Sequence, residues 1–296
     1  NFSLTGLVGS ELPTISKTTG TYASKNVATG ISVSTTLASG DFTEVAGFLR
    51  ANYSLPTTAS GNIGTITTRV ISLTGTRAYD GTTDVGNAIF SMNSLVGSET
   101  LTLSGTGTIV SKDVGSGKAV TLVTLALGNG SNGGVASNYT LTGGTHTASV
   151  TQKSLTASLI STVSKTYDGT TTVTNLQNSN FSLTGLVGSE LPTISKTTGT
   201  YASKDVTTGI SVSTTLAAGD FTEAAGFLKA NYSLPTTASG NIGTITQKSL
   251  TASLISTVSK TYDGTTTVTN LQNSNFSLTG LVGSELPTIS KTTGTY

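Results

Sequence analysis

The sequence predicts an all-β fold built as a tandem array of small units. Three observations predict it: a long internal repeat, period-two alternation of apolar residues, and turn residues at short regular intervals. The repeat comes first. Residues 152–201 recur unchanged as 247–296, an offset of 95 residues. Residues 1–67 recur as 180–246 with five changes: Asn26/Asp205, Ala28/Thr207, Ser39/Ala218, Val45/Ala224 and Arg50/Lys229. Between these copies lies 68–151, a diverged unit of 84 residues. Self-similarity at a fixed period is the signature of a repeat architecture.

Four segments follow. Residues 1–67 are the C-terminal part of a unit, 68–151 a diverged complete unit, 152–246 a complete unit, and 247–296 the N-terminal part of a further unit. Both ends fall inside a unit, and the chain opens on Asn1. We therefore expect a longer parent chain. Within the units Leu155, Ala157 and Leu159 alternate, as do Phe181 and Leu183, Ile210 and Val212, and Tyr232 and Leu234. That alternation fits half-buried strands. Thr is roughly a fifth of the chain, and β-branched residues suit a pleated surface. Gly, Asn and Asp punctuate the strands. Residues 220–230 (DFTEAAGFLKA) read as a turn or a one- to two-turn helix, with Asp220 and Glu223 spaced as in a capping box. The units join without Pro- or Gly/Ser-rich spacers, which predicts stiff coupling.

Composition excludes several functions. There is no cysteine, hence no disulfide and no Cys-ligated metal. Charged residues are 10% and net charge is +1, which leaves no basic footprint for nucleic acid. No apolar run approaches the ~18 residues of a membrane span. The chain lacks the GxSxG, HExxH and Walker patterns and any GxGxxG unit leading into a helix. No catalytic, cofactor-binding or metal-ligating residue is assigned and no cofactor is expected. Asp41/Glu44 and Asp220/Glu223 are close acidic pairs, but they lack the alternating oxygen ligands of a calcium loop. His146, the single histidine, reads as a surface residue.

Two recurring motifs read as structural. Tyr79-Asp80-Gly81, Tyr167-Asp168-Gly169 and Tyr262-Asp263-Gly264 are each followed by Thr-Thr. Asp caps a turn through its carboxylate and Gly supplies a positive φ, while Tyr buries its ring and keeps a hydroxyl for a polar partner. Asn52-Tyr53, Asn138-Tyr139 and Asn231-Tyr232 stand before Ser/Thr-Leu. They are similar to the tyrosine corner of immunoglobulin-like sandwiches, in which the hydroxyl bonds nearby backbone. The fold class expected is thus all-β: small immunoglobulin-like β-sandwich units arranged end to end as a rod. Asn-Tyr-Ser/Thr is also a glycosylation sequon, as are Asn1-Phe-Ser, Asn129-Gly-Ser, Asn180-Phe-Ser and Asn275-Phe-Ser.

Taken together, KTYDGTT, GLVGSE, the GTYxSKxV segment and ANYSL make the chain resemble the YDG-type repeat domain. That domain occurs in tandem in large bacterial surface proteins, including filamentous-haemagglutinin-like adhesins. The resemblance implies an extracellular or cell-surface location and a structural role in a stalk or fibre, and it carries no catalytic residues. It implies a secretion pore as a partner during export. Low charge with many hydroxyls leaves little mutual repulsion, and exposed strand edges offer contact surface, so other copies of the protein, laterally or end to end, are expected partners too. The alternative is a multivalent module binding glycans or surfaces. The middle unit departs from the pattern: it is shorter, lacks both prolines and carries GNGSNGG at 128–134.

Overall fold

The computed structural model describes residues 2–224 and 226–296. The described residues form short β-strands, with one-turn 3-10 helices where strands change direction. Two compact units emerge. The first comprises Asn1–Arg77 and Thr82–Val150, the second Ala78–Gly81 and Thr151–Tyr296.

The second unit holds the complete third repeat. Its main sheet has five strands in the order Val163–Thr166, Thr237–Thr246, Thr207–Thr215, Gly199–Tyr201 and Thr172–Val173. The long central strands pair antiparallel, Thr215 opposite Thr237 and Thr207 opposite Ile245. Their register shifts around Ile210, next to Gly209 at φ +70°. A residue with positive φ kinks and twists a strand, and glycine adopts it without strain. Val163–Thr166 pairs parallel with Gly243–Thr246. Gly243 is required here because a Cβ would lie 2.7 Å from the Tyr201 ring. Facing this sheet, Thr156–Leu159 pairs antiparallel with Phe181–Thr184, and Thr193–Ile194 with Phe221–Thr222. Between them sits a core of Leu159, Val163, Tyr201, Val212, Phe221 and Ile245, each nearly free of solvent contact. Every one is an inward position of an alternating strand, which is how period two becomes packing.

The first unit holds two cores. In the middle repeat a six-stranded sheet curls so that Leu73–Ala78 pairs with Phe90–Met92 on one side. Ile71, Leu73, Leu101, Leu125, Tyr139 and Leu141 fill it. The first repeat shows a three-stranded sheet of Thr21–Tyr22, Ala28–Thr36 and Thr58–Ile66 over Leu37, Phe42 and Phe48.

Two readings need correction. His146 is buried, not on the surface. Leu73 N donates to its Nδ1 at 3.2 Å, and its Nε2 donates to Leu141 O at 2.8 Å. The ring is therefore a neutral bridge inside the middle repeat, closing two backbone groups that burial would otherwise leave unpaired. Residues 220–230, read as a turn or a short helix, hold among the described residues a short strand as well as a one-turn 3-10 helix. Asp220 ends the 3-10 turn Ala218–Asp220 and caps it by accepting from Ala217 N at 2.8 Å. Phe221–Thr222 is then a strand, and Lys229–Asn231 a second 3-10 turn. Residue 225 within this stretch lies outside the described residues, as does the Asn1 sequon.

Candidate functional site

The recurring tyrosines, with a glutamate between them, build one contact that is used repeatedly. It begins with the corner tyrosine. Tyr232 follows the turn Lys229–Asn231 and is buried, its ring stacked on Phe227 at 5.2 Å between centroids. Its hydroxyl accepts from Val187 N at 3.0 Å and donates to Glu190 Oε2 at 2.6 Å. In the middle repeat Tyr139 accepts from Val96 N at 3.1 Å and donates to Glu99 Oε2 at 2.6 Å. In the first, Tyr53 accepts from Val8 N at 3.2 Å and donates to Glu11. This differs from the expected tyrosine corner. The hydroxyl reaches a loop 45 residues upstream, not the backbone beside it.

The Tyr-Asp-Gly turn supplies the second half. It leaves the sheet at its last strand: Tyr79 N donates to Thr151 O, and Tyr167 N to Thr246 O, each at 2.9 Å. Asp168 Oδ1 accepts from Thr170 N and Thr170 Oγ1, each at 2.9 Å, and from Lys165 Nζ at 2.7 Å. Lys165 Nζ also donates to Thr170 O at 2.7 Å and lies 5.4 Å over the Tyr201 ring. The Lys165 ammonium, followed by the Thr170 amide, holds the Asp168 carboxyl down at about 2. Asp263 repeats the arrangement with Thr265 and Lys260. In the middle repeat Arg77 replaces the lysine and donates to Thr82 O, and Asp80 lies exposed in the turn. Gly81, Gly169 and Gly264 have φ of +80°, +78° and +70°, which glycine adopts without strain.

That tyrosine meets the glutamate of the next repeat. Within the second unit Tyr79 is buried edge-on against Tyr232, 5.4 Å between centroids, and donates to Glu190 Oε1 at 2.6 Å. Glu190 thus takes one tyrosine on each carboxylate oxygen, its own repeat's on Oε2 and the preceding repeat's on Oε1. Gly81 lies under Val187, whose Cγ1 is 2.6 Å from where a Cβ would be. The next junction repeats both contacts: Tyr167 donates to Glu285 Oε1 at 2.7 Å, and Gly169 lies under Val282 Cγ1 at 2.7 Å. The Glu285 hydrogen bond pushes the Tyr167 hydroxyl pKa up, and Tyr167 in turn pulls the Glu285 carboxyl down. Burial, then the Glu190 bond, pushes Tyr232 well above the ordinary tyrosine value.

The asparagines join the same junctions. Asn138 Oδ1 accepts from Val27 N at 2.9 Å and its amide donates to Asn26 Oδ1 at 2.9 Å, so the middle repeat's corner holds the SKxV loop of the first. Lys25 adds an ion pair to Glu99 at 3.4 Å. Asn231 is buried at the corresponding place in the third repeat, and Asn52 is exposed in the first. Buried amides at Asn180 and Asn231 leave no room for a glycan. Tyr262 is 94% exposed.

Sequence reasoning quoted LVGSE as a repeat marker without giving its valine and glutamate a role. One signal was present. Glu and corner Tyr keep almost constant spacing, 11 to 53, 99 to 139 and 190 to 232.

Among the described residues no three His, Asp or Glu side chains gather to hold a metal ion. The acidic pairs are engaged locally: Glu223 accepts from Lys229 N at 2.9 Å, and Glu44 from Arg50 N at 3.1 Å. Two open grooves recur in the first and third repeats, lined by Lys17, Thr19 and Thr35 and by Lys196, Thr198 and Thr214, with volumes near 440 and 480 Å³. Hydroxyls line them, and no aromatic ring does.

Repeated β-units, joined by Tyr79 on Glu190 and by Tyr167 on Glu285, define a tandem-repeat protein. The family model for the YDG domain matches residues 65–148 and 151–239, more than half of the chain. The chain belongs to the YDG domain family, in tandem copies. No curated protein matches it, and no solved structure does.

Proposed function

We propose that the chain is a structural segment of a large secreted bacterial adhesin or extracellular filament, projecting a distal region from the cell. One observation carries this reading. The same contact between a Tyr-Asp-Gly tyrosine and the next repeat's glutamate, and the same glycine-under-valine contact, recur at two successive junctions, so the recurring motifs of the chain serve to join units. The parallel pairing of an early strand with the last one supports the finer reading of each unit as a small immunoglobulin-like sandwich. Arrays of this kind gain stability from unit and nearest-neighbour terms together, which suits a segment that transmits force.

Pulling single chains by their ends tests the reading. The expected trace is a series of force peaks, with a Glu190→Gln variant yielding the junction at lower force. A chain that extends smoothly without peaks rules out a mechanical role. Protease treatment of intact cells tests the location: an extracellular segment is shaved off. The recurring hydroxyl-lined grooves favour a second reading, a multivalent glycan module. Binding of the chain to a glycan array, lost on Thr35→Val and Thr214→Val, selects it.

A further inference from the structure

Two tyrosines from different repeats meet at one carboxylate, and such a pair has a chemistry beyond hydrogen bonding. Tyr79 and Tyr232 are each 1% exposed, with ring centroids 5.4 Å apart and ring planes at 78°. Tyr79 donates to Glu190 Oε1 and Tyr232 to Glu190 Oε2, each at 2.6 Å. Two phenols on one carboxylate bring their hydroxyl ends together. The ring carbons beside the hydroxyl-bearing carbons, the Cε positions, converge with them. Tyr232 also stacks on Phe227 at 5.2 Å, but that ring has no hydroxyl. Among the described residues Tyr79 and Tyr232 are the one pair of tyrosine rings in contact. The chain has no tryptophan and no cysteine, so one-electron oxidation settles on tyrosine. Burial, then the Glu190 bond, keeps the Tyr232 hydroxyl protonated. A phenol gives up an electron readily only when its proton leaves with it, and Glu190 is an acceptor already in contact. Glu190 is half-buried, so the proton passes on to water.

We propose that Tyr79 and Tyr232 form an oxidative cross-linking site, which a one-electron oxidant converts to a dityrosine tying the middle repeat to the third. Each phenol loses one electron to the oxidant and one proton, by way of Glu190, to water. Electrons cross a layer of side chains by tunnelling, so the oxidant need not touch the rings. The two phenoxyl radicals then pair their unpaired electrons in a bond between one Cε of each ring. The hydrogen on each of those carbons leaves as a proton, and each phenolic oxygen takes one back, which restores both aromatic rings. In all, two equivalents of oxidant are reduced and the protein loses two hydrogens. Both hydroxyls end side by side, facing the carboxylate that aligned them. A chain without cysteine thereby gains a covalent tie where a disulfide is ruled out. The inference goes beyond the stalk reading and is tested without it.

A brief flash of ruthenium tris-bipyridyl with persulfate, given to the dilute 296-residue chain, tests it. The monomer fraction is then digested with trypsin and its peptides are weighed. Residues 78–112 follow Arg77 and end at Lys112, and residues 230–248 follow Lys229 and end at Lys248, so each tyrosine sits in its own peptide. The expected product is these two peptides joined, two hydrogens lighter than their sum and carrying dityrosine fluorescence. Tyr79→Phe keeps the ring and is expected to abolish the product. Unfolding the parent in urea before the flash is expected to abolish it too, and Glu190→Gln to lower its yield. A parent that gives no joined peptide, under a flash that couples free tyrosine, overturns the proposal. So does a product that forms equally well in urea, one that joins Tyr79 to other tyrosines as often as to Tyr232, or a yield that Glu190→Gln leaves unchanged.

Discussion

Residues 152–201 and 247–296 have one sequence and two structures. In both copies the Lys–Asp–Thr turn is the same: Lys165 and Lys260 reach Asp168 and Asp263 at 2.7 and 2.8 Å. In both, Thr156–Leu159 and Thr251–Leu254 pair with the next strand in equivalent register. What differs is the core. Leu159 and Val163 are buried by the strand Thr237–Thr246, while Leu254 and Val258 meet no such strand. Turns and hairpins are thus set by residues close in sequence. Burial is set by a segment some 80 residues away in the chain, as the spacing of Val163 and Gly243 shows.

The sharpest way to break this comparison is to make the same substitution in both copies. Leu159→Ala is expected to destabilise the third repeat by about 2–5 kcal/mol through lost burial and a cavity. Leu254→Ala is expected to change stability by less than about 0.5 kcal/mol, as exposed substitutions do. Chemical denaturation followed by hydrogen exchange in each copy reads both. Equal costs end the claim that position in the array decides the core.

Tyr232→Phe comes next, at about 1–3 kcal/mol, because Glu190 loses a donor and Val187 N is left unpaired in a buried place. Tyr53→Phe, at the half-buried version of the same corner, is expected to cost less. Thermal melts of the two variants rank them, and a reversed order removes the corner from the account. Gly169→Ala is smaller again. It meets both a positive φ, worth about 1–2 kcal/mol, and Val282, whereas Gly264→Ala meets the φ alone. The difference between the two isolates the valine contact.

The smallest effect is pH, and here the copies should agree. The carboxyls of Asp168 and Asp263 are both held below the usual value, first by the neighbouring lysine. A depressed folded pKa stabilises above the unfolded value near 3.9 and loses that contribution as pH falls through the folded one. Carboxyl NMR should therefore place the Asp168 midpoint at about 2, with the turn loosening only below pH ~4. At the alkaline end the sign reverses for tyrosine. Tyr167 and Tyr232 are raised, so their bonds are intact below pH ~10 and fail as they ionise above it.

Much of this was legible in the sequence. The repeats, the alternating strands and the Asp–Gly turn follow from neighbours, and neighbours are what a sequence displays. The Tyr79–Glu190 contact spans two repeats, and nothing local to KTYDGTT announces a carboxylate. His146 read as a surface residue because Leu73 N and Leu141 O become its partners only after the strands pair. The parallel strand at Val163 was hidden for the same reason, since alternation shows which side is buried and not which strand lies alongside.

The lysine in the Tyr-Asp-Gly turn has a consequence for where such a chain can work. Lys165 Nζ sits among Asp168 Oδ1, Thr170 O, Thr170 Oγ1 and Thr172 O, all within 3.3 Å. Oxygen ligands of this kind also suit a dissolved hard cation, and here the positive charge is tethered by its own side chain. Such a turn cannot be emptied by chelators or dilution, and it keeps its form in waters too poor in calcium to set a mineral-dependent one.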